Sequence, residues 1–458
     1  MARTSLPDLE SGASTPGYAS QSDSIDHPRQ AEKAKEEASS STEKAKASDA
    51  TVPSDDDDEP PDGGRVAWTH VLLMHIVFFN TWGVVNGYGV FQEYYTTALR
   101  RPPSDIAWIG SVETFLLFGI GVVSGRATDA GYFFHVFYAG VLLELLGVFM
   151  TSLGTRYWHF VLSQAVCMGV GNGLVFCPAL AILAQYFKRR RAFAVGLSAA
   201  GAAVGGLVYP ILINRLIFHE KIGFAWTMRC MGLIMLLSYI PCLFLFKPRL
   251  PPRKTTDWID TTAFTDVPFL FFTASMFFAF WGLYFAFFFL GTYARDQIGV
   301  AQPIYLLILL NGVGVIGRIS PTIVADQWCG PLNLIIAIGL ASSLLVYCWA
   351  AVHTAAGLYV FAVIYGLAAA ALQALYPAVS TTMTPHPSKT GTRVGMILGF
   401  VSLANLTGPA ISGAIIERSG GGSYLGAQMF AATAILLATV TAVGARVARA
   451  GWKICVKV

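Results

Sequence analysis

From Val66 onward, apolar runs of about twenty residues recur, each near the length a helix needs to cross a ~30 Å hydrocarbon core. Twelve can be drawn, over about 66–91, 105–125, 134–153, 158–184, 192–214, 225–246, 267–290, 303–323, 332–352, 357–381, 393–415 and 424–446, with short polar turns between them. The first two are interrupted by Gly and polar residues, which membrane helices tolerate better than soluble ones. The expectation is an all-α membrane protein of twelve transmembrane helices.

Charge supports this. Only 13% of the 458 residues are charged, about half the share in a soluble domain, which excludes an ordinary soluble protein. The net charge of +4 hides a division. Residues 1–65 carry 15 acidic and 7 basic side chains, while the remainder carries 12 and 24. The first segment is rich in Ser, Ala, Glu, Lys and Asp, and ends in the acidic run Asp55 to Glu59. It has too little apolar surface to offset its ordering entropy, so a disordered tail is expected over 1–65. It has neither the basic start nor the apolar stretch of a signal peptide. The seven cysteines are scattered, with no metal-site or disulfide spacing.

With both termini in the cytosol, the inward loops and C-terminal tail collect 16 Lys and Arg, against 8 outside. That bias is the positive-inside pattern. The hydrophilic stretch Lys247 to Asp266, with Pro248, Pro251 and Pro252, separates two blocks of six runs. The expected divisions are therefore 1–65 as cytosolic tail, 66–246 and 267–447 as six-helix halves, 247–266 as linker and 448–458 as a cytosolic C-terminal tail. A faint repeat joins the halves. Gly196-Leu197-Ser198 is followed fourteen residues on by Pro210, and Gly395-Met396-Ile397 by Pro409, each in the fifth run of its half. Two similar halves about a central cavity form the repeat architecture of secondary transporters.

Three motifs sharpen the reading. Pro61-Asp62-Gly63-Gly64-Arg65-Val66-Ala67-Trp68 stands at the mouth of the first run. Gly125-Arg126-Ala127-Thr128-Asp129-Ala130-Gly131 falls between the second and third. Tyr186-Phe187-Lys188-Arg189-Arg190-Arg191 leads into the fifth run, which contains Ala200-Gly201-Ala202-Ala203-Val204-Gly205. Together they resemble the monocarboxylate-porter branch of the major facilitator superfamily, especially its fungal members, over nearly everything after residue 60. The resemblance implies the major facilitator fold and alternating-access transport. It also implies a conformational latch of Arg126 and Asp129, with Gly317-Arg318…Ala325-Asp326 as a degraded second copy, so that Asp326 joins the latch. Gly201 and Gly205 share a helical face that lets a neighbouring backbone come close. The basic cluster Lys188 to Arg191 fits anionic headgroups at the membrane surface.

Ionisable residues within spans are costly and default to functional candidates. They are His75, Glu113, Glu144 and Arg318. Glu113, deep in the second run, is the preferred proton-coupling residue, with a packing hydrogen bond as the alternative. His75 shares a face with Phe79, Trp82, Asn86 and Glu93; it either lines the cavity and joins the coupling or is a satisfied interhelical His. Glu144 reads as structural. Animal proton-coupled members of the resembling branch carry a Lys where Asn86 stands, and an Asp-x-x-x-Arg pair of which only Arg318 is kept, Gly314 standing at the Asp position. Arg318 therefore either binds a substrate carboxylate through its fork of donors or pairs with Asp326.

From Phe269 to Phe289, 12 of 21 residues are aromatic, and Phe277, Trp281, Tyr284 and Phe288 fall on one helical face. A cavity-facing subset favours a large, flat or greasy substrate. The candidate substrate-binding set is Asn86, Phe277, Trp281, Tyr284, Asn311, Arg318 and Tyr376, with Gln164, Asn172, Gln373 and Asn405 as further polar candidates. Export of a secondary metabolite or organic acid leads. Proton-coupled uptake of a monocarboxylate or vitamin-like solute comes second, and a non-transporting sensor third. An enzyme would need clustered polar groups that the spans lack. The pattern calls for no cofactor, metal or nucleic acid. The expected partners are a small organic solute, the lipid bilayer and protons as coupling ion. A monomer is expected in the plasma membrane, with a vacuolar or other internal membrane as the alternative.

Overall fold

The computed structural model describes residues 60–220, 222–251, 259–383, 390–419 and 422–452. The expected tail up to residue 59, the middle of the linker and residues 453–458 lie outside them, and with them most of the sequence expected at the two termini. Among the described residues, twelve helices are long and apolar enough to cross a membrane. They are α1 (Gly64–Asn86), α2 (Ser104–Asp129), α3 (Phe133–Thr151), α4 (Tyr157–Ala184), α5 (Arg191–Ile217), α6 (Phe224–Leu245), α7 (Val267–Ile298), α8 (Ile304–Cys329), α9 (Pro331–Trp349), α10 (Ala355–Ser380), α11 (Thr392–Arg418) and α12 (Leu425–Ala450).

The apolar runs and the helices coincide except where polar residues occupy a helix end. Helix α2 continues through Asp129, and α8 through Cys329 by a wide π-type turn. Arg126, Asp129 and Asp326, expected between helices, therefore sit in last helical turns. The first helix is shorter than expected. It stops at Asn86, turns at Gly87 and resumes as a separate helix, Tyr88–Leu99. A Cβ at Gly87 would lie 2.9 Å from Pro210 Cγ, so the chain passes α5 there only without a side chain.

Small residues fix how α1 and α5 pack. Gly201 lies against the backbone carbonyl of His75, and a Cβ on Gly205 would stand 2.8 Å from Gly83 Cα. The halves repeat one another's contacts: α1 meets α5 as α7 meets α11, and α2 meets α4 as α8 meets α10. Between the halves, α2 packs on α11 and α5 on α8, pairs that exchange under a shift of six helices. Helices α3, α6, α9 and α12 expose Leu142, Leu237, Leu344 and Val440, the apolar surface a bilayer would cover.

Two of the sequence motifs form one clasp. The Asp62 carboxylate accepts hydrogen bonds from the backbone N–H groups of Lys188 (2.6 Å) and Arg189 (2.8 Å), and Asp62 N–H donates to Tyr186 O (3.1 Å). Trp68 packs edge-on against Phe187 and Phe193 at 5.4 and 6.0 Å. The entrance to α1 is thereby bound to the entrance of α5. Lys188, Arg189 and Arg190 are exposed, as headgroup contact requires. Arg191 departs from that expectation: it turns inward and donates to Phe187 O (2.9 Å) and Thr381 O (3.2 Å).

Candidate functional site

A small cavity lies between the halves. It is lined by Phe78 and Trp82 of α1, Phe118 of α2, Phe176 of α4, Ala199 and Ala202 of α5, Phe280 and Tyr284 of α7, Arg318 of α8, and Gln373 and Pro377 of α10. The walls are mostly aromatic, so charge placed here is felt strongly. Arg318, 2% exposed, donates to Gln373 Oε1 and to Gly314 O (3.3 Å). It has no carboxylate partner among the described residues. Asp326 accepts a hydrogen bond from the Phe193 N–H (2.8 Å), so the ion pair that spacing offered Arg318 is not formed. Three further buried groups on the lining, Trp82 Nε1, Tyr284 OH and Gln373 Nε2, have no hydrogen-bond partner among the described residues. Each can donate.

Of the substrate-binding set expected from sequence, Arg318 and Tyr284 line this cavity; the others lie elsewhere. Asn86 donates toward Ala202 O at 3.5 Å and Asn311 to Leu307 O at 3.1 Å, where α1, α5 and α8 cross. Trp281 Nε1 donates to Thr407 Oγ1 (3.0 Å), and the Phe277 ring lies 5.1 Å from that of Phe400. Both therefore face α11. Tyr376 shares a hydrogen bond with Ser275 (2.9 Å) behind the Phe280 ring. The aromatic face of α7 is thus rotated from the expected one, toward Phe280 and Tyr284. A helix apolar on every side offers no periodicity by which to choose.

Glu113 and His75 also lie off the lining. Glu113 is buried between α2 and α4, where Gln164 Nε2 and Asn172 Nδ2 each donate to its carboxylate at 3.3 Å. Tyr95 OH, donating to Gln164 Oε1 (2.6 Å), holds that amide in place. His75 Nδ1 is 3.0 Å from Leu197 O across the α1–α5 contact. Glu144 accepts from Tyr239 OH (2.7 Å), tying α3 to α6.

The halves meet on both sides of the cavity. At the end where α1 begins, Asp326 binds the first turn of α5 and Arg191 reaches Thr381. The last turns of α2, which carry Arg126 and Asp129, pack on α11, where a Cβ on Gly395 would lie 3.1 Å from Val122 Cα. At the opposite end Arg295, in the π-type last turn of α7, lies 3.8 Å from Glu93 beyond α1. Sequence reasoning omitted Phe78, Phe118 and Phe176 from the site; nothing in their spacing separates them from lipid-facing phenylalanines.

The Major Facilitator Superfamily family model matches residues 71–328. An MFS-type transporter of Gibberella zeae is 40% identical over 390 residues, covering 84% of this chain and 88% of that one. The aspyridones efflux protein of Emericella nidulans is 35% identical over 389 residues, with coverages of 84% and 79%. The agnestins efflux protein of Paecilomyces divaricatus is 33% identical over 371 residues, with coverages of 80% and 84%. Among solved structures, the human organic anion transporter MFSD10 (TETRAN) matches with a TM-score of 0.62 at 16% identity, over 82% of this chain and 98% of that one. At that identity the likeness is one of fold.

Proposed function

The chain belongs to the major facilitator superfamily, and from that premise we propose that this multi-pass secondary transporter of a small organic solute exports an organic anion, an acidic secondary metabolite, by alternating access. The observation that carries the reading is Arg318. A guanidinium buried in a mostly aromatic cavity, with an amide oxygen and a peptide oxygen as its partners among the described residues, is costly to hold there alone. A bound anion supplies the missing charge through two parallel hydrogen bonds. The efflux named for two relatives supports the outward direction, and the Asp62 and α5 motifs support the monocarboxylate-porter branch. In this reading the end carrying the Asp62 clasp and the exposed Lys188 to Arg190 faces the cytosol, with both termini on that side of the plasma membrane. Arg126, Asp129 and Asp326 latch that end.

Glu113 favours a proton as coupling ion, the feature shared with the uptake alternative. Its carboxyl lies within the helix bundle with two amide donors and no cation partner among the described residues, the kind of intramembrane group that relays protons. The test is flux of naphthalene-2-sulfonate, a permanently charged fluorescent anion, through proteoliposomes. Wild type should carry it, and Arg318→Gln should lose at least about 30-fold, the cost of removing one member of a buried charged pair. Flux equal to that of empty vesicles, or undiminished in Arg318→Gln, would contradict the reading.

A further inference from the structure

Trp82 and Tyr284 face one another across the boundary between the halves. Trp82 comes from α1 and Tyr284 from α7, both line the cavity, and both are buried. Their rings are nearly parallel, with centroids 6.1 Å apart and planes inclined by 12°. The other ring contacts around them are steeper: Trp82 meets Phe118 at 53° and Phe176 at 75°, and Phe118 meets Phe280 at 67°. Near-parallel rings on either side of a boundary that opens can receive a flat ring between them.

The polar groups on the same lining add a second, independent constraint. Among the described residues Trp82 Nε1, Tyr284 OH and Gln373 Nε2 have no hydrogen-bond partner, Gln373 Oε1 is occupied by Arg318, and the guanidinium itself only donates. The cavity therefore offers donors at several points around one cation. A single alkyl carboxylate would leave some of those donors unpaired, at a cost for each. A planar ring system carrying its negative charge on or beside several oxygens would pair with them.

Resting on the proposed organic-anion reading, we propose that Trp82 and Tyr284 form a clamp, one ring from each half, that selects flat, conjugated, acceptor-rich anions over puckered anions of the same skeleton. The clamp is divided between the halves, so it forms only when they close on the substrate. A planar ligand thus contributes stacking to the closed state that a puckered one does not.

The test measures binding of 2-naphthoate and decahydro-2-naphthoate, matched in skeleton and charge and different in planarity, to the purified full chain in lipid nanodiscs by calorimetry. Wild type should bind the planar acid about 10-fold tighter, the range of one stacking contact. Trp82→Leu and Tyr284→Leu should each bring that ratio near one, while Trp82→Phe and Tyr284→Phe, which keep a ring, should retain most of it. The ratio is read within each variant, so a general loss of affinity does not imitate the effect. Equal binding of the two acids by wild type, or an unchanged ratio in both Leu variants, overturns the clamp and leaves the organic-anion reading standing. Binding of neither acid by wild type overturns that reading and the clamp with it.

Discussion

At the scale of single residues, Arg318 and Glu113 are held inside the bundle by side-chain amides. Arg318 and Glu113 stand out because a membrane span excludes charge without a reason to keep it. Their partners, Gln373 for one and Gln164 with Asn172 for the other, come from helices distant in sequence. Glu113→Gln keeps the side chain's shape and one carbonyl acceptor for these amides, and removes the titratable group. Naphthalene-2-sulfonate flux in that variant should lose its acceleration by an imposed proton gradient, while exchange at equal pH persists. Acceleration equal to wild type would remove Glu113 from coupling. His75, which the sequence leaves as either a cavity-lining or an interhelical His, meets the Leu197 carbonyl, because glycines bring α5 close enough for its backbone to claim the ring.

At the scale of elements, the twelve helices follow from the length and apolarity of their runs, and their rotations follow from contacts that hydropathy does not record. Helix α7 illustrates the limit: its aromatic residues cover every side, so only packing against α11 and α12 determines that Trp281 faces away and Tyr284 inward. Small residues were more informative, since Gly201 and Gly205 were expected to admit a neighbouring backbone and α1 lies against them. Gly205→Ala should lower the thermal unfolding midpoint, with a cost of about 1–3 kcal/mol from overpacking; an unchanged midpoint would mean that α1 can shift aside. Asp62→Ala removes the carboxylate that caps the turn before α5. It should cost about 1 kcal/mol, as loss of an N-cap does, and Asp62→Asn should restore part of it. The Asp62 and Lys188 motifs lie far apart in sequence, and the fold joins them into one clasp.

At the scale of the whole molecule, the cavity lies between halves that touch along two related seams, α2 on α11 and α5 on α8. For a solute to reach Arg318 from either side, at least part of these seams must open. The faint repeat around Pro210 and Pro409 hinted at two similar halves; the exchange of contacts between them is what makes both seams comparable, and no local pattern encodes it. Asp326 on the first turn of α5 and Glu93 beside Arg295 hold opposite ends, so loosening one end should favour opening there. Asp326→Ala is expected to raise the labelling of a cysteine placed at Thr322, beneath the Asp326 end, by a membrane-permeant maleimide. Unchanged labelling would deny that contact a part in closure.

On the proposed reading this chain moves its solute only by parting and rejoining its halves around the Arg318 cavity. On the α2–α11 seam, a Cβ at Gly119 would lie 3.9 Å from Ser402 Cβ, within the range a disulfide accepts. The most direct measurement is naphthalene-2-sulfonate flux through proteoliposomes containing Gly119→Cys/Ser402→Cys, oxidised and then reduced, with wild type oxidised in parallel. Flux should stop when the cross-link forms, return on reduction, and remain unaffected by oxidation in wild type. Undiminished flux through protein shown to be cross-linked would contradict the account.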